Sequence, residues 1–165
     1  MTTIAANLEC MAGDTRVTTA GAYYHANKLF RIGESIFGTA GDGFMCLVMI
    51  EWLKTNRSRP SLYKQWGDYE RDQIELLELN PRGLFLWTGW GIPEPIHEAR
   101  FAVGSGQLAA LKAMDKGDSP LEAVKGVIDY DEASGLPVQI EILAQAIKSK
   151  PKSRRRKPTD TKEFY

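Results

Sequence analysis

Cysteine and histidine are both scarce in this chain of 165 residues, with two of each. Cys10 and Cys46 fit neither a disulfide framework nor a CxxC metal pair. His25 and His97 have no partner set at metal-ligand spacing, so each reads as an ordinary surface or core histidine and no metal or other cofactor is expected. Long hydrophobic runs are missing too. The longest, Phe44 to Ile50, falls far short of a bilayer span, and no membrane contact is expected. No Lys or Arg precedes an apolar stretch near the start, which argues against a secretory signal. The expected setting is a reducing cytoplasm. No internal repeat is visible.

What is present suits a globular chain. Hydrophobic residues make up 43% and charged residues 25%, and the length accommodates one domain with a sizeable core. The net charge of zero conceals an asymmetry. Residues 148–165 carry eight Lys or Arg against Asp160 and Glu163, leaving 13 basic and 19 acidic side chains in residues 1–147. Residues 1–147 therefore read as the folded domain. The segment KSKPKSRRRKPTDTKEFY has almost nothing to bury, and reads as a flexible basic tail. It suits contact with nucleic acid or an acidic partner, or simply solubilisation and docking onto the acidic body.

The first forty residues read as a β-meander. TTIAAN and CMAG form a short hairpin ending in the turn AGDT; Val17 to Tyr24 is a strand kinked at Gly21; KLFRI and SIFGT flank a turn at Gly33–Glu34. Then the period changes. Asp42 caps a helix running to about Asn56, with Phe44, Leu47, Val48 and Trp52 at helical spacing. Pro60 ends it, and a shorter helix is expected over 61–71. Gln73–Asn80 and Leu84–Thr88 form a hairpin, its first arm alternating Ile and Leu with Glu. Ile96 to Val103 reads as one strand, Ser105 as the cap of a helix over Gln107–Met114, Ser119–Pro120 as the start of a helix reaching Tyr130, and Val138 to Leu143 as a last strand. Strands joined by short turns pair antiparallel. Two helix pairs and two such sheets are best buried as an α+β four-layer αββα sandwich, helices outside and sheets within.

The chemistry begins at residue two. Removal of the initiator Met in front of a residue this small leaves Thr2 with a free α-amine and a β-hydroxyl. An α-amine has a pKa near 8, so nucleophile and general base can be one residue. A Thr also holds its χ1 more tightly than a Ser. A retained Met1 removes the free amine and with it the mechanism.

TTIAAN, MAGDTRVT, NKLFRI, FGTAGD, AVGSG and DYDEASG follow one another in an order that resembles the proteasome β-subunit and HslV-like family of N-terminal nucleophile (Ntn) hydrolases. The likeness covers roughly residues 2–143, strongly over 2–54 and 99–115. It implies the Ntn sandwich, with Thr2 as nucleophile, Asp14 as the buried carboxylate and Lys28 as its lysine partner. A positive charge at Lys28 disfavours protonation of the amine, and an unpaired buried ammonium would be costly. The resemblance gives Gly41 an oxyanion-binding N–H; independently, a Gly just before a helix start can turn backbone donors toward a ligand. The spacing of Gly38, Gly41 and Gly43 does not make a GxGxxG dinucleotide fingerprint. Ser105 matches a serine near the amine, a role compatible with helix capping. Asp131 and Ser134 resemble the Asp-x-x-Ser pair that holds the amine, with Asp129 competing for the aspartate's part. By the same analogy Val17, Ala26, Phe30, Thr39 and Met45 line the pocket for the residue before the scissile bond. That lining favours neutral or hydrophobic side chains, although Phe30 and Met45 read equally well as core.

Three departures from the family pattern stand out: a shorter first hairpin, which bears on the reach from Asp14 to Lys28, a curtailed late helix, and the basic tail. The resemblance implies a threonine peptidase acting on polypeptides inside a homo-oligomeric ring, stacked in pairs and served by an ATP-dependent unfoldase. Two alternatives carry over: a catalytically degenerate scaffold subunit whose tail binds nucleic acid or an acidic partner, and a small-molecule Ntn amidase needing no enclosed chamber.

Overall fold

The computed structural model describes residues 2–55, 74–88, 92–132 and 134–144. Two antiparallel sheets lie face to face. One has the order β10-β1-β2-β11, built from β1 (Thr3–Asn7), β2 (Cys10–Asp14), β10 (Arg100–Gly104) and β11 (Val138–Ile142). The other runs β5-β6-β7-β8-β9: β5 (Leu29–Ile32), β6 (Ser35–Gly41), β7 (Ile74–Asn80), β8 (Gly83–Thr88) and β9 (Glu94–Ile96). A separate hairpin pairs β3 (Arg16–Thr19) with β4 (Ala22–His25).

Alternation along the strands decides which side chains meet. Ile4, Ala6, Met11 and Val103 face Leu29, Ile36, Leu77 and Leu79 across the gap between the sheets. That gap is narrow at Gly38, where a Cβ would come within 2.5 Å of Ile4 Cγ2 and 2.8 Å of Met11 Sδ. On the opposite face of the four-stranded sheet, Ala5 is in register with both Ala12 and Ala102, a row of small side chains. Over it pack α2 (Gln107–Asp115) and α3 (Pro120–Ile128), through Ala110, Met114, Ala123, Val124 and Val127. The outer face of the five-stranded sheet is covered by α1 (Gly43–Thr55), whose Met45, Cys46, Met49 and Ile50 bury against Phe37, Ile74 and Leu76. Helices thus lie outside two sheets, the architecture expected from the order of elements.

Several local expectations needed correction. The Val17–Tyr24 strand is a hairpin, turning at Ala20–Gly21. AGDT is no turn: Asp14 ends β2, and the first hairpin turns at Leu8–Glu9. Helix α1 buries a different stripe from the one expected, leaving Phe44 and Leu47 exposed; its sequence is apolar on nearly every side, so spacing alone could not choose a face. β7 does not alternate in burial. Glu78 is buried within the α1 layer, accepting hydrogen bonds from Ser35 Oγ, Asn80 Nδ2 and Trp87 Nε1 at 2.8–2.9 Å. The strand expected over Ile96–Val103 is two, β9 and β10, one in each sheet, because the chain crosses between layers at His97–Ala99.

Helix α3 ends at Ile128, short of Tyr130, and begins at Ser119–Pro120 as expected, with Ser119 and Glu122 forming a capping box. The helix expected over 61–71 and the basic segment 148–165 lie outside the described residues.

Candidate active site

Asp14 is the fixed point. It is fully buried at the end of β2, where the register leaves its side chain among backbone donors. Oδ1 accepts from the Thr3 amide at 2.9 Å and from Lys28 Nζ at 2.9 Å. Oδ2 accepts from Lys28 Nζ and the Arg16 amide at 3.0 Å each, and from the Gly135 amide at 3.2 Å. A buried carboxylate with this many donors has its charge compensated by hydrogen bonds as well as by a cation. The shorter first hairpin therefore does not separate Asp14 from Lys28.

Lys28 stands just before β5 and is almost as withdrawn from solvent. Its ammonium also donates to the Arg16 carbonyl. Burial pulls its pKa below the ordinary lysine value of 10.5, against the opposing pull of the Asp14 charge and hydrogen bond and the charge of Asp131. One oxygen of Asp14 thus receives both the Lys28 ammonium and the peptide N–H that follows Thr2. That shared acceptor brings the cation up against the Thr2–Thr3 peptide.

A second set of groups surrounds the start of β1. Ser105 Oγ lies 2.9 Å from Asp131 Oδ2 and 3.3 Å from the Thr2 carbonyl, and its single proton serves one of them at a time. Ser134 Oγ donates to the same Asp131 oxygen at 2.8 Å, so Thr3 Oγ1, 2.8 Å away, is the donor to Ser134. Asp131 holds both serines, whereas Asp129 is the C-cap residue of α3. Ser105 does not cap α2: the N-cap is Gly106, and no side chain caps that end. Gly104 has φ +91, and a Cβ there would overlap the Thr2 carbonyl.

Gly41 closes β6 with φ +105, ahead of Asp42, whose Oδ1 accepts the Met45 amide at 2.9 Å and caps α1 as expected. Its neighbour Ala40 sits beside Gly104 and the Thr2 carbonyl, since a Cβ built on Gly104 would meet Ala40 Cβ at 3.5 Å. Of the proposed pocket residues, Thr39 is buried and bonds the Lys28 carbonyl through its amide at 3.0 Å and its hydroxyl at 3.3 Å. The Ala26 amide bonds Thr15 O, and Val17 stands half-buried in β3. Met45 is in the apolar cluster beneath α1, with Phe30 packed on its margin. Side-chain hydrogen bonds therefore join Thr2, Asp14, Lys28, Ser105, Asp131 and Ser134 through Thr3, and among the described residues no such bond is seen from this set to Gly41, Val17, Phe30 or Met45.

Sequence reading missed the parts played by Thr3, Gly104, Gly135 and the Arg16 backbone. Three of these act through main-chain groups, which side-chain identity does not advertise. Among the described residues, no group of three or more His, Cys, Asp or Glu is arranged to hold a metal ion. No helix among them is long and apolar enough to cross a membrane.

No family model matches the chain, and no curated protein does so either. Solved structures do. BPH of Thiobacillus denitrificans superposes with a TM-score of 0.68 at 22% identity, over 87% of this chain and 98% of that one. The same protein in complex with epoxomicin gives 0.66 and 21%, with the same coverage. Eukaryotic HslV from Trypanosoma brucei gives 0.66 and 23%, over 85% of this chain and 98% of its own. At these identities the likeness is one of fold, and it is the HslV-type sandwich anticipated from the six motifs.

Proposed function

We propose that the chain is a threonine-type N-terminal nucleophile hydrolase that cuts peptide bonds with Thr2 once Met1 has been removed. The observation that carries this reading is the shared Asp14 oxygen, which tethers a buried ammonium to the peptide following Thr2. A cation held there lowers the proton affinity of the neighbouring α-amine, keeping part of it neutral at physiological pH. The amine takes the proton of Thr2 Oγ1 as that oxygen bonds to the scissile carbonyl carbon. The Gly41 N–H stabilises the resulting oxyanion. The amine then passes its proton to the departing nitrogen as the C–N bond breaks, leaving an ester on Thr2. Water, deprotonated by the same amine, adds to the ester, and its collapse frees the acid and restores the hydroxyl. Ser105, Asp131 and Ser134 orient the amine, while Val17, Ala26, Phe30, Thr39 and Met45 favour a neutral or apolar side chain before the cut bond. A homo-oligomeric ring, stacked in pairs, confines the sites in the cytoplasm and receives polypeptide from an ATP-dependent unfoldase.

Intact mass measured after incubation with epoxomicin, the compound bound to one fold neighbour, tests the chemistry. The expected result is one adduct per chain, on a form lacking Met1. Thr2→Ala should lose both the adduct and peptide hydrolysis while sedimenting as the parent oligomer. Retained Met1 in cell-derived protein, or hydrolysis that survives Thr2→Ala, overturns the reading.

A further inference from the structure

Strand β11 turns polar side chains toward the gap between the sheets, where apolar ones are the rule. Gln139 is in register with Gly13, whose side-chain direction is toward Ile4 and Leu29, and Glu141 is opposite Met11. Ile140, opposite Ala12, faces the helices instead. The polar pair makes sense at an edge. β11 borders one sheet and β5 the other, so side chains from β11 can cross to the neighbouring edge. Glu141 Oε2 accepts from Arg31 Nη2 at 2.7 Å, and Arg31 also donates to the Ile142 carbonyl.

Gln139 does something more specific. Its Oε1 accepts the Lys28 amide at 2.8 Å, and its Nε2 donates to Asn27 Oδ1 at 3.0 Å. The Lys28 carbonyl is held from the other side by Thr39. We infer that Gln139 is a positioning residue for Lys28: it fixes the main chain from which the ammonium reaches Asp14. The Gln139 side chain supplies an acceptor to the Lys28 amide, so the main chain beside the buried ammonium is tied to β11 as well as to β6. A lysine side chain has enough rotamer freedom to lose its geometry when its backbone shifts. Among the described residues Gln139 has no side-chain hydrogen bond to Thr2, Ser105, Asp131 or Ser134; its side chain bonds Lys28 and Asn27. The inference rests on the proposed role of Lys28, but its structural half can be measured apart from activity.

The experiment follows the Lys28 ammonium and amide protons by nitrogen-15 NMR in the full chain, alongside the pH dependence of peptide hydrolysis. In the parent, the Lys28 amide is expected to exchange at least tenfold more slowly than the amides of exposed turns. Gln139→Met removes the acceptor at nearly constant volume. It should speed exchange of the Lys28 ammonium at least tenfold and move the acid limb of kcat/KM to higher pH. Gln139→Glu keeps an acceptor for the Lys28 amide and should restore slow exchange.

An unprotected Lys28 amide in the parent overturns the inference even if Gln139→Met fails to fold. So does ammonium exchange within twofold of the parent in Gln139→Met, or a Gln139→Glu variant as impaired as Gln139→Met. Release of the ammonium with no hydrolysis by the parent would uphold the positioning contact and remove the peptidase. An unmoved pH limb, with the ammonium released and the parent active, would refute the positioning role.

Discussion

Replacing Asp14 by Asn exchanges one carboxylate oxygen for an NH2 group at a heavily hydrogen-bonded point of the molecule. The carboxylate is inaccessible to solvent and Lys28 nearly so, hence solvent cannot take over for the missing charge. Removing one partner of such a pair costs about 3–5 kcal/mol, because the other charge stays buried without compensation. The amide also turns an NH2 toward groups that are all donors: either the Arg16 and Gly135 amides or the Thr3 amide lose their acceptor. A total near 4 kcal/mol is a large part of the 5–15 kcal/mol typical of a domain. At this chain length it corresponds to a fall in Tm on the order of 10 °C.

Urea unfolding at pH 7 of the parent, Asp14→Asn, Lys28→Met and the double variant gives the full cycle. Lys28→Met leaves Asp14 with three backbone donors and should cost less, about 1–3 kcal/mol. The double variant no longer holds a buried unpaired cation. It should be more stable than the sum of the single losses requires, by about 2 kcal/mol. Additive losses, or an Asp14→Asn variant within 1 kcal/mol of the parent, would refute the claim that a buried ion pair organises the site.

Two further outcomes follow from the same geometry. The folded pKa of Lys28 is depressed, so just below 10.5 the unfolded chain holds a proton that the folded chain has released, and stability gains from rising pH there. Stability measured from pH 8.5 to 10.5 should accordingly rise in the parent relative to Lys28→Met, and a flat difference would contradict the burial argument. Gly104→Ala puts a methyl group onto the Thr2 carbonyl from a left-handed backbone. It should cost about 1–3 kcal/mol and slow reaction at Thr2 more than at exposed nucleophiles, as read by thermal melts and adduct kinetics.

The fold was legible mainly where the chain is punctuated. Gly33–Glu34, Asp42 and Ser119–Pro120 marked boundaries because each has a local mechanism, a turn or a cap, that does not wait for tertiary contacts. It was illegible where tertiary packing chose among local equals. The apolar sequence FMCLVMI offers a helix more than one buried face, and the sheet beneath selected Met45, Cys46, Met49 and Ile50. The break between β9 and β10 had no glycine or proline to announce it. Within the candidate site, Asp14, Lys28, Ser105, Asp131 and Ser134 were named from motif order, and the structure brings them into hydrogen-bonded contact through Thr3. Ser105 was also given a capping task that no side chain performs, the N-cap position being Gly106. Gln139 went unnoticed because a glutamine in a strand carries no signal of its own; only the proximity of two sheet edges gives it a purpose.

The donors that converge on Asp14 come from both ends of the described chain: Thr3, Arg16 and Lys28 near its start, Gly135 close to the last strand. A ribosome releases these pieces in sequence, so a nascent chain stalled before residue 135 has the anion and its early partners but not the final one. The full set of donors around Asp14 therefore exists only after the segment carrying Gly135 has been made and has folded back onto the end of β2.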